Sequence, residues 1–425
     1  MNAAPAKIST RLGPNQIRGF WASWAGWALD GMDSFIYALV LVPALRDLLP
    51  RSNIAATDAN VGLYGGILFA VFLFGWGASF LWGPIADRFG RVRVLMLTIL
   101  CYSVFTFLGC IATSVWQLGI FRLLAGIGIG GEWTLGSVFI AEEWPEDRRI
   151  QGACYMHTGY YFGTLVASAL NWLVGAHYGW RAMFAVGGLP ALLTALIRYG
   201  VKEPERWRAV GRTRRAFAQI FSREYRGRTL LNATFVLISM VGLWAGSVYV
   251  PSAVTQLAAR ESHGGISAAH LASAAAMLLS LGTILGCLVV PFLATRLGRR
   301  AALACFYGVM ALFIPLGFGY AFYLPANALA VFIACMFFVG VGGASFCVFT
   351  VWLPEQYRTE CRASAFAFAT SFGRFVTAGV TFAVGAAVSH FGTLGKPVAF
   401  TAIAFVIGLM ILPAAKETRD AALPE

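Results

Sequence analysis

The chain alternates long apolar blocks with short charged clusters. Residues 325–352 hold no charged side chain, and residues 92–112 hold one. An α-helix rises ~1.5 Å per residue, so about 20 apolar residues cross a ~30 Å hydrocarbon core. Twelve segments meet this pattern, at 19–47, 59–83, 92–112, 116–143, 149–176, 180–200, 229–258, 268–294, 300–320, 325–352, 363–390 and 397–415. The longest polar stretch, Lys202 to Thr229, falls between the sixth and the seventh. The pattern predicts an all-α polytopic membrane protein built as two six-helix bundles. The first occupies 1–200 and the second 229–425, with a linker at 201–228.

Composition agrees: 59% of residues are hydrophobic and 12% charged, against about 25% charged in soluble domains. The net charge of +13 would suggest nucleic acid if it were clustered on a soluble surface, but it is sorted by side. With a cytoplasmic N-terminus, 25 of the 32 Lys and Arg lie in cytoplasmic segments, 5 in external ones and 2 inside helices. This is the positive-inside asymmetry. It places the chain in a cell (inner or plasma) membrane with both termini and the linker cytoplasmic. It also gives the Arg-rich linker anionic lipid headgroups as partners and removes the case for nucleic acid. No small-residue cleavage site follows the first apolar block, which reads as a retained helix. The eight cysteines are scattered without CxxC or Cys/His ligand spacing, so neither a disulfide framework nor a metal site is expected. No nucleophile–base spacing, nucleotide loop or soluble domain marks an enzyme. A monomer without a cofactor is expected, apart from any coupling ion.

The two halves repeat each other. GPIADRFGRV (Gly83 to Val92) returns as PFLATRLGRR (Pro291 to Arg300), so Arg88, Gly90 and Arg91 match Arg296, Gly298 and Arg299 at a displacement of 208. EEWPEDRRIQGA returns as EQYRTECRASA, so Glu142 and Arg149 match Glu355 and Arg362 at 213. A duplicated six-helix unit is a transporter architecture, with its binding site between the halves near the midplane.

Charged side chains inside the apolar blocks need a reason. A carboxylate at the centre of a spanning helix costs roughly 2.5–3.5 kcal/mol. Asp30 and Asp33 occupy such a position, and their i, i+3 spacing puts them on one helix face. That face must look into the bundle. A low-dielectric site favours the neutral acid, and an acid that loads and releases a proton is what proton coupling needs. The bland alternative is a pair that only neutralises a buried Arg. Arg374 lies near mid-membrane and keeps its charge. Its fork suits a substrate carboxylate, or it forms a permanent salt bridge between the halves. Arg122 and Glu132 lie ~80° apart around one helix, which allows different partners. Glu132 reads equally as a second proton site or a structural partner. His157 is placed to titrate, although a lone helical His is more often structural. Tyr160, Tyr161, Trp244 and Tyr249 could line a cavity or face lipid. The small-residue runs GIGIGG and GYYFG let helices approach closely.

These residues resemble a known family. GPIADRFGR is similar to the loop motif of the major facilitator superfamily, G-x-x-x-D-R-x-G-R-R/K. The matches are Gly83, Asp87, Arg88, Gly90 and Arg91, with Val92 or Arg93 at the last basic place. RLLAGIGIGGEW looks like the superfamily's R-x-x-x-G-x-G-x-G, at Arg122, Gly126, Gly128 and Gly130. The likeness covers essentially the whole chain. GEWTLGSVFIAEEWPEDRR, GWRAMFAVGGLPALL, VKEPERW, LDGMDSF and TSFGRFV resemble the sialate/lactate branch of proton symporters. The D-G-x-D of helix 1 is shared with aromatic-acid symporters. Helix 5 lacks the Gly-Pro pair of proton-driven exporters, while VKEPERW and KETRD echo sugar porters.

The resemblance implies a twelve-helix major facilitator fold of two pseudo-symmetric bundles. It implies proton-coupled import of a small organic acid by alternating access. Aromatic-acid symport and sugar or drug transport are the alternatives, with a non-transporting sensor more remote. It implies proton coupling at Asp30 and Asp33 and a coupling role for Arg122. The loop motifs suggest a cytoplasmic gate of Asp87, Arg88, Arg91, Glu142, Glu143, Arg149, Glu355 and Arg362. There Asp87 faces the N-terminus of helix 11, and Arg91 pairs with Glu142 or Glu143. Thr295 replaces Asp87 in the second copy, which predicts an asymmetric latch.

Overall fold

The computed structural model describes residues 12–189, 200–210, 216–247, 249–261, 268–391 and 393–424. Those residues form helices, turns and loops, with no strand among them. The first half holds α1 (Pro14–Arg51), α2 (Asp58–Ala78), α3 (Trp82–Phe89), α4 (Arg91–Gly109), α5 (Val115–Glu143), α6 (Arg149–Leu170) and α7 (Ala176–Val186). The short α8 (Glu205–Val210) and α9 (Ala216–Gln219) lie in the linker. The second half holds α10 (Arg226–Ser247), α11 (Val250–Glu261), α12 (Ala268–Arg296), α13 (Arg299–Ile314), α14 (Ala328–Gly343), α15 (Ser345–Trp352), α16 (Arg362–Phe391), α17 (Gly395–Phe400) and α18 (Ile403–Ile411). Among the described residues, eight helices are long and apolar enough to cross a membrane by length and composition alone.

Helix ends depart from the pattern where glycine or proline intervenes. The first helix begins at Pro14 rather than residue 19, since proline suits a first helical position. The expected break between the fifth and sixth segments, at 177–179, is a kink at Gly179, preceded by a π-helical turn at Asn171–Gly175. Gly179 sits at φ +76°, a conformation only glycine adopts freely. The predicted 180–200 segment lies largely outside the described residues.

The helices are inside-out relative to a soluble protein. On α4 the exposed positions are Leu97, Leu100, Val104 and Phe107, while Thr98, Tyr102, Ser103 and Thr106 are buried. Lipid takes the apolar face, and the polar groups must find partners within the bundle. Helix α1 packs along α6, and α2 and α4 flank α5. The second half mirrors this, with α10 along α16 and α12 along α14. The α1–α6 contact is close because a Cβ at Gly31 would strike the Tyr160 carbonyl, and one at Gly163 the Ala28 carbonyl. Helices α6 and α12 form one side of the seam between halves, and α2 and α3 meet α16 on the other.

Candidate functional site

Asp30 and Asp33 flank Gly31, where α1 meets α6 closely. Asp30 and Asp33 are both fully buried, but they meet different neighbours. Asp33 Oδ2 lies 3.6 Å from Arg122 Nη1. Arg122 Nη2 donates to Thr106 Oγ1 at 2.8 Å, and its guanidinium lies over the rings of Phe184 (5.0 Å) and Tyr37 (5.3 Å). Asp30 instead feels the charges of Glu132, Asp33 and Arg374. Glu132 Oε1 lies 2.8 Å from Thr98 Oγ1, which is also 2.7 Å from the Leu95 carbonyl. One hydroxyl proton cannot serve both acceptors fully. The Thr98 hydroxyl shares its one proton between the Glu132 carboxyl and the Leu95 carbonyl. Both oxygens of Asp30 and of Asp33, Glu132 Oε2, and Arg122 Nε and Nη1 make no hydrogen bond among the described residues.

Arg374 approaches from the other half. Its Nη1 donates to the Thr370 carbonyl one turn back on α16, and its guanidinium lies 4.1 Å from the ring centre of Trp76 on α2. It makes no ion pair within 4.0 Å among the described residues, so it is not a permanent inter-half salt bridge. It borders a narrow cavity lined by Phe69, Leu73 and Trp76 from α2, Met240 from α10, and Thr377 and Thr381 from α16. The cavity spans the seam: one cation, two threonines and a largely apolar wall.

The aromatic candidates separate. Tyr160 packs tilted against Trp27, with ring centres 4.9 Å apart, and feels the charges of Asp30 and Arg374. Tyr161 is buried edge-on to His157, with ring centres 6.2 Å apart. Tyr249 donates to the Thr381 carbonyl at 3.2 Å, at the cavity's edge. The side chain of Trp244 lies outside the described residues. His157 is buried beside Trp27 and Trp133, and its Nδ1 is 3.2 Å from Thr350 Oγ1 across the seam. Trp133 Nε1 donates to the same hydroxyl at 3.0 Å.

The loop motifs assemble on the face that carries the linker. Glu142 receives Arg91 Nε (3.1 Å) and Nη2 (3.0 Å) from its own half, and Arg362 Nη1 (2.8 Å) from the other. Glu355 mirrors it, receiving Arg299 Nε (2.9 Å) and Nη2 (2.7 Å) from its own half and Arg149 Nη2 (3.4 Å) from the other. Asp87 Oδ2 accepts from the Ser364 N–H (2.9 Å) and Oγ (2.5 Å) in the first turn of α16, where the helix dipole favours an anion. Thr295, its counterpart, donates to Pro291 on its own helix, so that tie has no second copy.

Two expected gate residues stand apart. Glu143 accepts from Asn15 at 2.6 Å rather than from Arg91, because it projects from the side of α5 facing the start of α1. Arg88 is exposed, lies over Phe89 at 5.1 Å, and makes no ion pair among the described residues. Helical rotation from Asp87 turns it outward.

Three features escaped the motif reading. Glu203 accepts the backbone N–H groups of Arg91 (2.7 Å), Val92 and Arg93 (both 3.1 Å). Glu417 accepts those of Arg299 (2.9 Å) and Arg300 (3.0 Å). The two glutamates are 214 residues apart, so the repeat signal already contained them. Residues 418–424 also cross the face: Thr418 Oγ1 donates to Glu355 (2.6 Å), the Ala421 carbonyl accepts from Arg149 (3.0 Å), and the Pro424 carbonyl accepts from Arg362 (2.5 Å). Thirdly, the buried hydroxyls of α4 carried a visible signal, polar positions four apart in an apolar block.

Two mirrored helix bundles, buried charges at mid-depth and ion pairs closing one end of their seam define a membrane transporter. The chain belongs to the Major Facilitator Superfamily, which matches residues 24–381. It is 31% identical over 422 residues to a probable 4-methylmuconolactone transporter of Cupriavidus pinatubonensis, covering 96% of this chain and 92% of that one. It is 24% identical to a sialic acid transporter of Escherichia coli, over 69% of this chain and 68% of that one. Among solved structures it superposes on the proton:xylose symporter XylE bound to 6-bromo-6-deoxy-D-glucose with a TM-score of 0.80. There it is 19% identical over 96% of this chain and 98% of that one, a likeness of fold.

Proposed function

We propose that this transporter imports a small organic acid together with protons by alternating access. The observation that carries the reading is the juxtaposition of Asp30, in the first half, with Arg374, in the second. Among the described residues Asp30 is buried without a hydrogen bond, and Arg374 borders the seam cavity without an ion pair. Asp30 is the carboxylic acid whose charge bears on Arg374, alongside the Tyr160 phenol. A substrate carboxylate that takes Arg374 removes that counter-charge, and Asp30 then holds a proton more readily. Substrate and proton thus favour each other's binding, as coupling requires.

Once the seam opens enough to admit a substrate, the cavity's apolar wall would favour a compact acid with an unsaturated or aromatic body over a polyhydroxylated one. Phe69, Leu73 and Met240 offer no partner for several hydroxyls. The Lys and Arg asymmetry supports a cytoplasmic linker face. Asp87, Arg91, Glu142, Arg149, Glu355 and Arg362 then form the gate that parts on inward opening, with the protein embedded in the cell membrane.

The test is proton influx into proteoliposomes holding a pH dye, as benzoate, lactate or sialate is added outside. Protein-free vesicles control for passive entry. Protein-dependent influx that disappears in Asp30→Asn or Asp33→Asn is expected. No protein-dependent influx with any acid, in vesicles shown to hold folded protein, overturns the reading.

A further inference from the structure

Helix α4 carries hydroxyls on three successive turns of one face. Thr98, Tyr102 and Thr106 are spaced i, i+4, i+8, with rungs roughly 6 Å apart along the axis, and all three are fully buried. The two ends of this ladder touch the two halves of the charge cluster. Thr98 Oγ1 meets Glu132 Oε1 at 2.8 Å, and Thr106 Oγ1 accepts from Arg122 at 2.8 Å, beside the Arg122–Asp33 pair.

Tyr102 is the middle rung. It lies one turn from Thr98 and one turn from Thr106 on the same buried face, level with the gap between Glu132 and the Arg122–Asp33 pair. Its hydroxyl finds no hydrogen bond of good geometry among the described residues. A buried hydroxyl left in this way destabilises the fold, a penalty that a phenylalanine would avoid while filling the same space. The cost is explained if the hydroxyl is used during the transport cycle.

We infer that Tyr102 passes a proton between the Asp30–Glu132 pair and Asp33, with Thr98 and Thr106 holding the two ends in register. This rests on the proton-coupled reading above. In the forward step the protonated carboxyl of Glu132 or Asp30 gives its proton to Tyr102 Oη, while the Oη–H proton passes to the Asp33 carboxylate. One O–H bond breaks and one forms at the phenol, which stays neutral. The donor acid is left as a carboxylate, and Asp33 as a neutral acid no longer bound to Arg122. Rotation of the hydroxyl resets the relay. The other titratable or charged groups facing this cluster are Tyr37 on α1 beside Arg122, His157 and Tyr160 on α6, and Arg374 on α16.

The test uses the full chain in proteoliposomes with benzoate, lactate or sialate as probe, whichever drives influx in the wild type. Tyr102→Phe keeps the ring and removes the relay. Its coupled proton influx is expected to fall roughly 100-fold, while stabilisation of the protein by the same acid against heat stays unchanged. Thr98→Val should lower influx, and Thr98→Ser should restore it. A Tyr102→Phe protein with wild-type influx overturns the inference. If that variant does not fold, the Thr98 pair decides: equal influx from Val and Ser overturns it. Acid uptake by the wild type without proton movement removes the proton-coupled reading and the relay together, whereas loss of the relay alone leaves that reading standing.

Discussion

The linker face and the mid-depth cluster both bury arginines and acids, yet they are built on opposite principles. On the linker face Glu142 and Glu355 are saturated. Glu142 and Glu355 each receive two arginines, one from either side of the seam, and the arginines spend their remaining donors on backbone carbonyls such as Ala86, Ala294 and Pro354. At mid-depth the acids are undersupplied, with four Asp30 and Asp33 oxygens making no hydrogen bond among the described residues. Buried polar groups in native structures are ordinarily bonded, so a cluster of exceptions calls for a use. A saturated network holds one arrangement, and an unsaturated one keeps capacity for a proton and an anion that come and go. Perturbed and undersupplied acids gather at functional sites for this reason.

That contrast can be broken at either end. The largest effect belongs to Arg374. Arg374→Ala removes the cation of the cavity, and acid binding, read by thermal stabilisation or flux competition, should weaken roughly 100-fold or more. Retained binding would place the anchor elsewhere. Next is Glu142→Gln, which strips Arg91 and Arg362 of a shared counter-charge. Breaking a buried pair on one side costs about 3–5 kcal/mol. The variant should melt earlier and expose a cysteine introduced at Ala363 to a membrane-impermeant maleimide from the linker side. An unchanged melting temperature and labelling rate would deny the latch its role.

Glu417 sharpens the comparison through pH. Burial opposes its charge, but N–H donors from Arg299, Arg300, Thr418 and Arg419 outweigh it and hold the carboxyl below the usual glutamate range. The folded state therefore binds this proton less readily than the unfolded chain does. Its stabilisation is present in full above the ordinary glutamate range and is lost as pH falls through the depressed one. A melting series over acidic pH should show that loss in the wild type and a smaller slope in Glu417→Gln. The smallest effect is at Arg88, where Arg88→Ala should change stability by within about 0.5 kcal/mol and leave influx unaltered. A large loss there would return it to the gate.

Much of the architecture was legible in the chain itself. Apolar length, the sorted Lys and Arg, and the repeat displacements of 208 and 213 define a duplicated helical membrane protein. These features are set by the solvent each segment must meet, which acts on a segment alone. The identity of the buried charges was legible too, because an acid in an apolar block stands out whatever surrounds it. Partnership was not. Asp30 and Asp33 share a helix face in sequence, yet one meets Glu132 and the other Arg122. Glu142 and Glu143 are adjacent, yet they turn to opposite neighbours.

Trp76 carries no motif, and only the approach of α2 to α16 across the seam puts it beneath Arg374. Residues 418–424 likewise look like a plain polar tail until the second bundle delivers them to Arg149 and Arg362. Periodicity and composition report what a segment is made of. Which atoms meet depends on how closely two helices approach and how each is rotated, and here backbone contacts such as Gly31 against Tyr160 settle that. The sequence by itself determined the membrane, the two halves and the cost of the buried acids. The tertiary structure decided which acids are satisfied and which are left open to a proton, because hydrogen bonds need partners brought together from distant parts of the chain.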